Sequence, residues 1–397
     1  MTFQITLEQL DGALIEHQWL WQPQPFKESR PAWCARLPEL TEQLLALSDT
    51  QLSVLQHSES ALMDMLIPYV PRLADISAST LLPDATALEL KALDARFHSA
   101  IPGRKWSQIQ AFSGAVGQVT RPLLEWCGGK GHLGRLMAAQ WQQPVTTLEW
   151  DTALCRAGEQ LAARSKLAQD FKIVDVLAPL PDGLIQQQHG IALHACGELH
   201  RALIRHGVSK RLPALDIAPC CYYRTSDSTY VPFTQGLKLK LDYNALRLAV
   251  TEAVTASPRE LQRRDQEMAW KLGYELILQE QLGLPYQPIK PFDKQWLRGD
   301  FEGFCQRLAQ RDKHCLPQGI DWRHYQQNGQ QRQRETMRLS LPRFAFRRGL
   351  EMWLVLDMAC HLEQAGYDVK ISCFCARILT PRNLLLSARR REVLPNV

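Results

Sequence analysis

Glycine and lysine are concentrated in residues 122–136, PLLEWCGGKGHLGRL, directly behind a short apolar run. Glycines at this density indicate a backbone that turns tightly or comes close to a ligand. The stretch is not a Walker A phosphate loop, because no Ser or Thr follows Lys130 and the GxxxxGK spacing is absent. We also do not expect it to be the GxGxxG dinucleotide fingerprint. The loop alone therefore indicates a close approach of the backbone, and the ligand has to be identified from residues further along the chain.

Acidic residues stand at the ends of three predicted strands, which is where an open α/β sheet binds its ligand. Glu125 ends the first strand, and Glu149 ends the second. At about twenty residues beyond the loop, the Glu149 carboxylate can accept both hydroxyls of a ribose; a solvated strand-end charge is the alternative. Asp175 ends the third strand, where its carboxylate could accept from an adenine amino group or cap a helix.

The fourth predicted strand ends in IALHACGELH, residues 191–200, and this strand end faces both cofactor and substrate. His194 could accept a proton there, because an imidazole titrates near neutral pH. A structural role for the same histidine is the alternative. The residues alone leave both roles open.

Two adjacent cysteines, Cys220 and Cys221, lie in DIAPCCYYR at the end of the fifth predicted strand. With Cys196 and His194 they look superficially like metal ligands. Adjacent residues of an extended chain point to opposite sides, however, and none of the CxxC spacings of structural zinc sites occurs. We therefore expect apolar pocket-lining thiols and no bound metal.

Short apolar runs alternate with helical patterns from residue 122 onward. The predicted strands are residues 123–126, 145–150, 171–177, 190–194 and 215–218, and the predicted helices between them are 132–141, 152–167 and 198–206. This alternation predicts a parallel sheet with helices on both faces. A helix at 347–365 and strands at 368–374 and 384–388 predict a closing antiparallel hairpin.

A chain of 397 residues exceeds the usual size of a single hydrophobic core. We divide it into a helical N-terminal domain (1–112), the first part of an α/β core (113–224), an insertion (225–346), and the last helix with the closing hairpin (347–397). Within the insertion, the polar stretch YQQNGQQRQRE at 325–335 is predicted to be an exposed loop.

Bulk properties exclude some classes of protein. No apolar run approaches the eighteen or so residues of a membrane span. The N-terminal segment has early acidic residues and does not read as a signal peptide. The eleven cysteines are therefore expected to be reduced thiols of a cytoplasmic protein. The net charge of +5 is too small to indicate nucleic acid by itself.

Four ordered blocks carry a resemblance to a known family. Residues 120–224 and 347–391 resemble a branch of the class I S-adenosylmethionine-dependent methyltransferases, whose Rossmann-like α/β fold is a seven-stranded sheet, mostly parallel, with a C-terminal antiparallel hairpin. That branch includes the CHHC-finger tRNA 2′-O-methyltransferases and eukaryotic methyltransferase-like proteins related to ribosomal RNA dimethylase-domain proteins. The matching residues are Glu125, Gly129, Lys130, Gly131, His132 and Leu133; His194, Cys196, Gly197 and Glu198; Cys220, Cys221 and Tyr222; and Pro381, Arg382 and Asn383.

The resemblance implies S-adenosyl-L-methionine as the cofactor. The residues expected to bind it are Glu125, Gly129, Lys130, Gly131, His132, Glu149, Asp175, His194, Cys196 and Gly197. The residues expected to act in catalysis are His194, Glu198 and Lys130, as bases or cations near an oxygen acceptor, and Tyr222, as a hydrogen-bond donor to a base nitrogen. The chain departs from the branch at Cys127, which replaces the first loop glycine, at Tyr223, and in having no CHHC finger.

The insertion is the candidate for substrate recognition. Residues 290–348 hold thirteen Lys and Arg against six Asp and Glu. Aromatic residues are interleaved with these charges, namely Trp296, Phe301, Phe304, Trp322, Tyr325, Phe344 and Phe346. Arginine and aromatic side chains suit phosphates and unstacked bases; a basic face over a small aromatic core is the alternative. We expect an RNA partner, tRNA or rRNA, contacted by Arg332, Arg334 and Arg338.

A basic pair, Arg104 and Lys105, precedes the first strand in IPGRKWSQIQAF. It could meet the methionine carboxylate of the cofactor or a phosphate of the substrate, or simply begin a domain-joining helix. The leading hypothesis is an S-adenosylmethionine-dependent RNA methyltransferase. The alternatives are a non-catalytic scaffold that binds RNA or protein, and an enzyme that methylates a protein or a small molecule.

Overall fold

The computed structural model describes residues 2–99, 101–251 and 257–391. The helices are α1 (Thr2–Glu16), α2 (Gln18–Trp21), α3 (Trp33–Arg36), α4 (Pro38–Leu45), α5 (Asp49–His57), α6 (Glu59–Leu66), α7 (Leu73–Ala78), α8 (Ala95–His98), α9 (Gly103–Val116), α10 (His132–Trp141), α11 (Thr152–Ser165), α12 (Glu198–Ser209), α13 (Tyr243–Leu248), α14 (Pro258–Leu282), α15 (Phe301–Asp312), α16 (Trp322–Leu339), α17 (Leu341–Ala345) and α18 (Arg347–Gln364), with a 3-10 helix at Lys294–Arg298. The strands are β1 (Leu123–Trp126), β2 (Val145–Glu149), β3 (Gln169–Ile173), β4 (His189–Cys196), β5 (Ala214–Cys220), β6 (Tyr367–Cys373) and β7 (Leu384–Arg390).

The seven strands form one sheet in the order β3-β2-β1-β4-β5-β7-β6. Strands β1 to β5 pair in parallel, while β7 pairs antiparallel with both β5 and β6. The order reverses direction between β1 and β4, which is the switch point where such sheets bind ligands. The expected fold class, a Rossmann-like α/β sheet with a closing antiparallel hairpin, is confirmed.

The chain divides into two compact units. Unit 1 takes in the described parts of Met1–Ile15, Asp75–Val254 and Arg347–Val397, and unit 2 those of Glu16–Ala74 and Thr255–Phe346. The expected N-terminal domain 1–112 and the expected insertion 225–346 are therefore each divided between the two units. Unit 1 contains the whole sheet.

The core of unit 1 lies against the first strands of the sheet. Helix α9 contributes Ile109 and Phe112, helix α10 contributes Leu136 and Met137, and all four are nearly inaccessible to solvent. Strand β5 is buried along its whole length, as expected of a parallel strand covered on both faces. Burial of these apolar faces holds the ends of β1 and β4 in fixed positions.

Unit 2 is helical, and its longest helices are α14 and α16. Helix α16 occupies the stretch that was expected to be an exposed loop, so that prediction was wrong. Its glutamines and arginines are good helix formers, and the Asp321 carboxylate accepts from the His324 amide at the helix start. Gly329 allows close packing on α14, since a Cβ there would lie 2.8 Å from the Gly273 nitrogen. A polar sequence thus forms a packed helix.

Among the described residues, the helices are all too short or too polar to cross a bilayer.

Candidate cofactor site

A cavity of about 120 Å³ lies at the carboxyl ends of β1 and β4. Its lining residues are Lys105, Ile109, Glu125, Trp126, Cys127, Gly128, Gly129, His132, Leu133, Leu193 and His194. A larger cleft of about 620 Å³ opens at the other edge of the sheet, beside the first residues of β4 and β5. We assign the ligand to the smaller cavity, because parallel sheets bind ligands at the carboxyl ends of their strands. Pockets for whole ligands are about 300–1,000 Å³, so a nucleoside cofactor would extend beyond it.

Every second residue of the glycine loop, from residue 127 to residue 131, has a left-handed backbone conformation. Cys127, Gly129 and Gly131 have φ angles of 54°, 62° and 65°. A Cβ added at Gly129 would meet nothing within 4 Å, whereas one added at Gly131 would lie 2.6 Å from the ring of Phe171. Gly129 therefore faces open space that a ligand can occupy, and Gly131 is a packing glycine. Both were expected to bind the cofactor.

Glu125 lies beneath the loop. Its Oε2 accepts from Thr147 Oγ1 at 2.7 Å, and a Cβ at Gly128 would lie 2.6 Å from its carboxyl carbon. Burial raises the pKa of Glu125 to about 7, against the smaller opposing effect of the Thr147 hydrogen bond. Glu125 supports the loop from below and lines the floor of the cavity.

Glu149 fastens the loop to the end of β2. Its Oε2 accepts from the Gly129 amide at 2.9 Å, and its Oε1 accepts from the amides of Trp150 and Asp151 at 3.0 and 3.1 Å. A carboxylate oxygen has two lone pairs, so Oε2 can accept one further hydrogen bond beside Gly129. The carboxylate is thus at the place where the sequence puts a ribose acceptor.

Two histidines line the cavity, and both are neutral near pH 7. Burial lowers the pKa of His132 to about 4, and the charges of Lys105, Arg135 and Lys130 add to this shift. Burial and the charge of Lys105 also lower the pKa of His194. An uncharged imidazole does not repel a sulfonium cation. Both residues lie where they were expected from the sequence.

Gln108 orients His194. His194 Nε2 lies 2.9 Å from Gln108 Oε1, and an amide oxygen can only accept, so Nε2 carries the proton and Nδ1 is the acceptor. Gln108 also donates to the Leu379 carbonyl at 3.1 Å, which fixes its own orientation. This residue was not predicted from the sequence, although Lys105, Gln108 and Ile109 share the i, i+3, i+4 spacing of one helix face.

The basic pair on α9 divides between two roles. Lys105 is exposed and lines the cavity. The Arg104 guanidinium instead donates from Nε and Nη2 to the Leu379 carbonyl at 2.9 and 2.8 Å. Lys105 is therefore placed to meet an anionic group of the ligand, while Arg104 holds α9 to the segment before β7. Lys130 is exposed and does not belong to the cavity lining.

Two of the expected site residues are engaged elsewhere, and a third lies beyond its predicted strand end. The Glu198 carboxylate forms ion pairs with Arg201 and Arg205 on its own helix, at 3.4 and 2.5 Å, so it is not placed to act as a base. The Tyr222 hydroxyl is buried and donates to Glu351 at 3.4 Å, so it does not reach a substrate. Asp175 lies two residues beyond β3.

The Asp175 side chain closes a turn rather than capping a helix. Its Oδ1 accepts from the Leu177 amide at 2.9 Å. No helix of the described chain begins there, which removes the helix-cap alternative. The carboxylate is exposed, so its other oxygen stays accessible to an adenine amino group. Strand β3 ends at Ile173, four residues before the end of the predicted strand 171–177.

The cysteines converge. The Sγ atoms of Cys196, Cys220 and Cys221 all lie within 4.8 Å of one another. Cys221 has a φ of 46°, so the alternation of an extended chain, on which we based the opposite expectation, does not hold there. Gly197 fits tightly under the next turn, since its added Cβ would lie 2.8 Å from the Arg224 carbonyl carbon.

The expected RNA-contacting arginines of α16 do not form one surface. Arg338 is buried and donates to the Leu47 carbonyl at 2.9 Å and to Asp49 at 2.7 Å, so it is structural and cannot contact RNA. Arg332 is half-buried, and only Arg334 is exposed. Helical geometry separates residues 332 and 334 by about 200° around the axis.

The aromatic residues of unit 2 form its core. Phe301, Phe304, Tyr325 and Phe346 are each 4% exposed or less. Rings buried in this way cannot stack on bases, so the expectation that they bind nucleotides was wrong for these four. The structure instead has the alternative that we considered for these residues, an aromatic core beneath a charged surface.

Comparison with known proteins places the site inside a methyltransferase domain. Residues 104–227 match the family model described as a methyltransferase domain, which is under a third of the chain. The match covers α9, the glycine loop, Glu149, Asp175, His194 and the three cysteines. It confirms the expected methyltransferase domain and, with it, S-adenosylmethionine as the cofactor. It does not distinguish the branch proposed from the sequence. No curated protein matches the chain.

Solved structures with partial likeness include several methyltransferases. Among them are a tRNA (uracil-54, C5)-methyltransferase from Pyrococcus abyssi (14% identity, TM-score 0.23, 28% of this chain and 28% of that one), a human methyltransferase 10 domain containing protein (13%, 0.23, 40% and 78%), and geranyl diphosphate C-methyltransferase from Streptomyces coelicolor (10%, 0.24, 45% and 64%). The chain thus spans little more than a quarter of the first of these. Likeness at this level carries no argument about the substrate.

Proposed function

We propose that unit 1 is an S-adenosylmethionine-dependent methyltransferase. The observation that carries the proposal is the open space at Gly129, beside a loop that the Glu149 carboxylate fastens to β2. This arrangement lies at the switch point of the sheet and within the segment that matches a methyltransferase domain. Left-handed glycines with open space around them also occur elsewhere, as at Gly183, so the place of Gly129 at the switch point is what favours a ligand.

The residues around the cavity suit the three parts of the cofactor. Lys105 supplies a positive charge for the methionine carboxylate, and Glu149 an acceptor for the ribose hydroxyls. Asp175 has an exposed carboxylate oxygen for the adenine amino group. When bound, the cofactor supplies an electrophilic methyl group next to a positively charged sulfur. The neutral rings of His132 and His194 accommodate that charge.

The chain's own contribution to methyl transfer is orientation and proton acceptance. Holding an acceptor in line with the methyl group supplies most of the acceleration in such a displacement. His194 is the residue placed to take a proton from an acceptor, because its Nε2 is committed to Gln108 and its Nδ1 is free to accept. Of the four residues expected to act in catalysis, His194 fits this role best.

Calorimetric titration of the full chain with S-adenosylhomocysteine tests the cofactor site. We expect binding by the wild type and weaker binding by Glu149→Gln. Glu159→Gln, the same chemical change at an exposed position of α11, is the matched control and should bind as the wild type does. Absence of both binding and thermal stabilisation in the wild type would leave the scaffold alternative standing.

We further propose that the acceptor is RNA, which rests on the resemblance of the sequence and on one surface of unit 2. Arg259, Arg263, Lys294 and Arg298 are exposed and line a cleft of about 600 Å³ together with Glu260 and Asp293. Lys294 forms an ion pair with Glu267 at 2.6 Å. The positive side chains outnumber the acidic ones on this open surface, which suits a phosphate backbone. This surface replaces the arginines of α16 as the place where RNA would bind.

Replacing Arg259, Arg263 and Arg298 by Gln tests the RNA proposal. RNA affinity should fall, and its salt dependence should flatten by about one unit of slope for each phosphate that the variant no longer neutralises. The control variant, Arg156, Arg164 and Lys166 all to Gln, removes the same charge from exposed positions of unit 1. Equal RNA affinity in the two variants would refute this surface. Tritium transfer from labelled cofactor into an RNase-resistant acceptor would refute RNA as the substrate.

A further inference from the structure

Three thiols meet at the carboxyl ends of β4 and β5, outside the lining of the cofactor cavity. The Sγ atoms of Cys196 and Cys220 are 3.5 Å apart, and Cys221 brings a third sulfur within 4.8 Å of both. Cys220 is buried, while Cys196 and Cys221 are half-buried. The group is therefore closed on the side of the sheet and open toward solvent.

Irregular backbone creates this convergence. The pairing of β4 with β5 shifts register between Leu193 and Cys196, and after the shift Cys196 pairs directly with Cys220. His194, inside the shift, has a φ of 69°, and Cys221 has a φ of 46°. A left-handed residue other than glycine costs about 1–2 kcal/mol. Two of them, at the ends of the neighbouring strands β4 and β5, indicate that the arrangement of the sulfurs has a function that offsets the strain.

Backbone hydrogen bonds lock the three residues together. The Gly197 amide donates to the Cys220 carbonyl at 2.9 Å, and the Arg224 amide donates to the Cys221 carbonyl at 2.9 Å. The Glu198 amide donates to the Arg224 carbonyl at 2.8 Å. The sulfurs are thus held by a rigid turn that joins the ends of both strands. A preformed ligand set of this kind does not need the metal to assemble it.

We propose that Cys196, Cys220 and Cys221 bind one Zn²⁺ ion. Zinc takes thiolates at about 2.3 Å, and a tetrahedral arrangement then separates the sulfurs by about 3.8 Å, close to the 3.5 Å between Cys196 and Cys220. A disulfide would require about 2.05 Å. Soft thiolate ligands select zinc over magnesium or calcium.

The fourth position of this zinc site belongs to an exchangeable ligand. Among the described residues, no further His, Cys, Asp or Glu joins the three sulfurs at the same distances. Three protein ligands with an open position are typical of zinc that binds water or a substrate, whereas structural zinc has four. Three thiolates and Zn²⁺ carry a net charge of −1. The positive guanidinium groups of Arg382 and Arg224 interact electrostatically with Cys221 and offset part of this negative charge.

Metal content of the purified full chain tests this proposal independently of methyl transfer. We expect one equivalent of zinc by mass spectrometry in the wild type, and loss of that zinc in Cys196→Ser and in Cys221→Ser. Cys315→Ser, at an exposed cysteine of unit 2, is the matched control and should keep its zinc. Circular dichroism of each variant shows whether it has folded.

Cobalt substitution supplies a second readout. Co²⁺ in the wild type should give thiolate charge-transfer bands and the intense visible bands of a tetrahedral site, and both should disappear in Cys221→Ser. Three results would overturn the proposal: wild type that binds neither metal, zinc that is retained in folded Cys196→Ser and Cys221→Ser, or a Cys196–Cys220 disulfide in protein purified under reducing conditions.

Discussion

Replacing Gly129 by Ala separates the two reasons for a glycine in this loop. Gly129 has a φ of 62°, and an added Cβ would meet no protein atom within 4 Å. Alanine should therefore cost only the backbone penalty of the left-handed conformation, about 1–2 kcal/mol of unfolding free energy. Gly183, in the same unit, has a φ of 75° and equally open space around it. Gly183→Ala is thus a matched control for strain.

The two variants should differ in cofactor affinity. A methyl group at Gly129 projects into the space that we assign to the cofactor, and overpacking of this size costs about 1–3 kcal/mol. That corresponds to about 5-fold to 150-fold weaker binding of S-adenosylhomocysteine. Gly183→Ala should bind as the wild type does. Calorimetric titration measures the affinity, and thermal unfolding without ligand measures the strain.

A third variant, Gly131→Ala, completes the test. Its Cβ would press on the Phe171 ring from 2.6 Å, so it should lose more stability than Gly129→Ala whatever the ligand does. The reasoning is refuted if Gly129→Ala binds S-adenosylhomocysteine as tightly as Gly183→Ala and the two unfold alike, since the cofactor then does not lie beside Gly129.

Other predictions concern charged residues of both units. Glu149→Gln should weaken S-adenosylhomocysteine binding by about 1–3 kcal/mol, the usual cost of losing hydrogen bonds to a charged group, as calorimetry will show. Glu125 has a pKa of about 7 in the folded protein against its ordinary 4.5, so between these pH values the folded state holds a proton that the unfolded state has lost. The free energy of unfolding should therefore fall by about 3 kcal/mol as pH rises from 4.5 to 7. In Glu125→Gln, the free energy of unfolding measured with urea should depend less on pH over that range. Arg338→Met should destabilise unit 2 by about 1–3 kcal/mol, because it removes buried hydrogen bonds, while RNA affinity in a filter-binding assay stays unchanged.

The sheet could be predicted because its strands alternate with helices in a regular pattern. Buried parallel strands such as β5 are nearly continuous apolar runs, and the helices between them have a different period. The third strand was misplaced because it is an edge strand with one fully buried residue, Phe171, so the apolar Val174 and Val176 beyond it attracted the assignment. Helix α16 was missed because its polarity suggested solvent, whereas packing on α14 decides its state.

The residues of the cofactor site that lie at strand ends could be predicted from the sequence. The carboxyl ends of β1, β2 and β4 carry Glu125, Glu149 and His194, and the sheet brings all three to one edge. The spacing of Gly129, Gly131 and the later Gly134 is that of GxGxxG, a further signal of a nucleotide site that we wrongly excluded. Hydrogen-bond partners could not be predicted from the sequence, because the pairing of Gln108 with His194 depends on how α9 packs against the sheet.

The failures after β5 have a single physical cause. We placed Cys220 and Cys221 on opposite sides by assuming that the chain stays extended, and we placed Tyr222 toward the substrate because of the family resemblance. A φ of 46° at Cys221 breaks that alternation, so both thiols turn to the face that carries Cys196, and the tyrosine ring enters the core beside Glu351. No residue type in CCYY encodes a left-handed cysteine; the turn onto Gly197 imposes it. The backbone angle that invalidates the extended-chain assumption therefore also assembles the three-sulfur site, which is why zinc content is the most direct measure of whether that strain has a function.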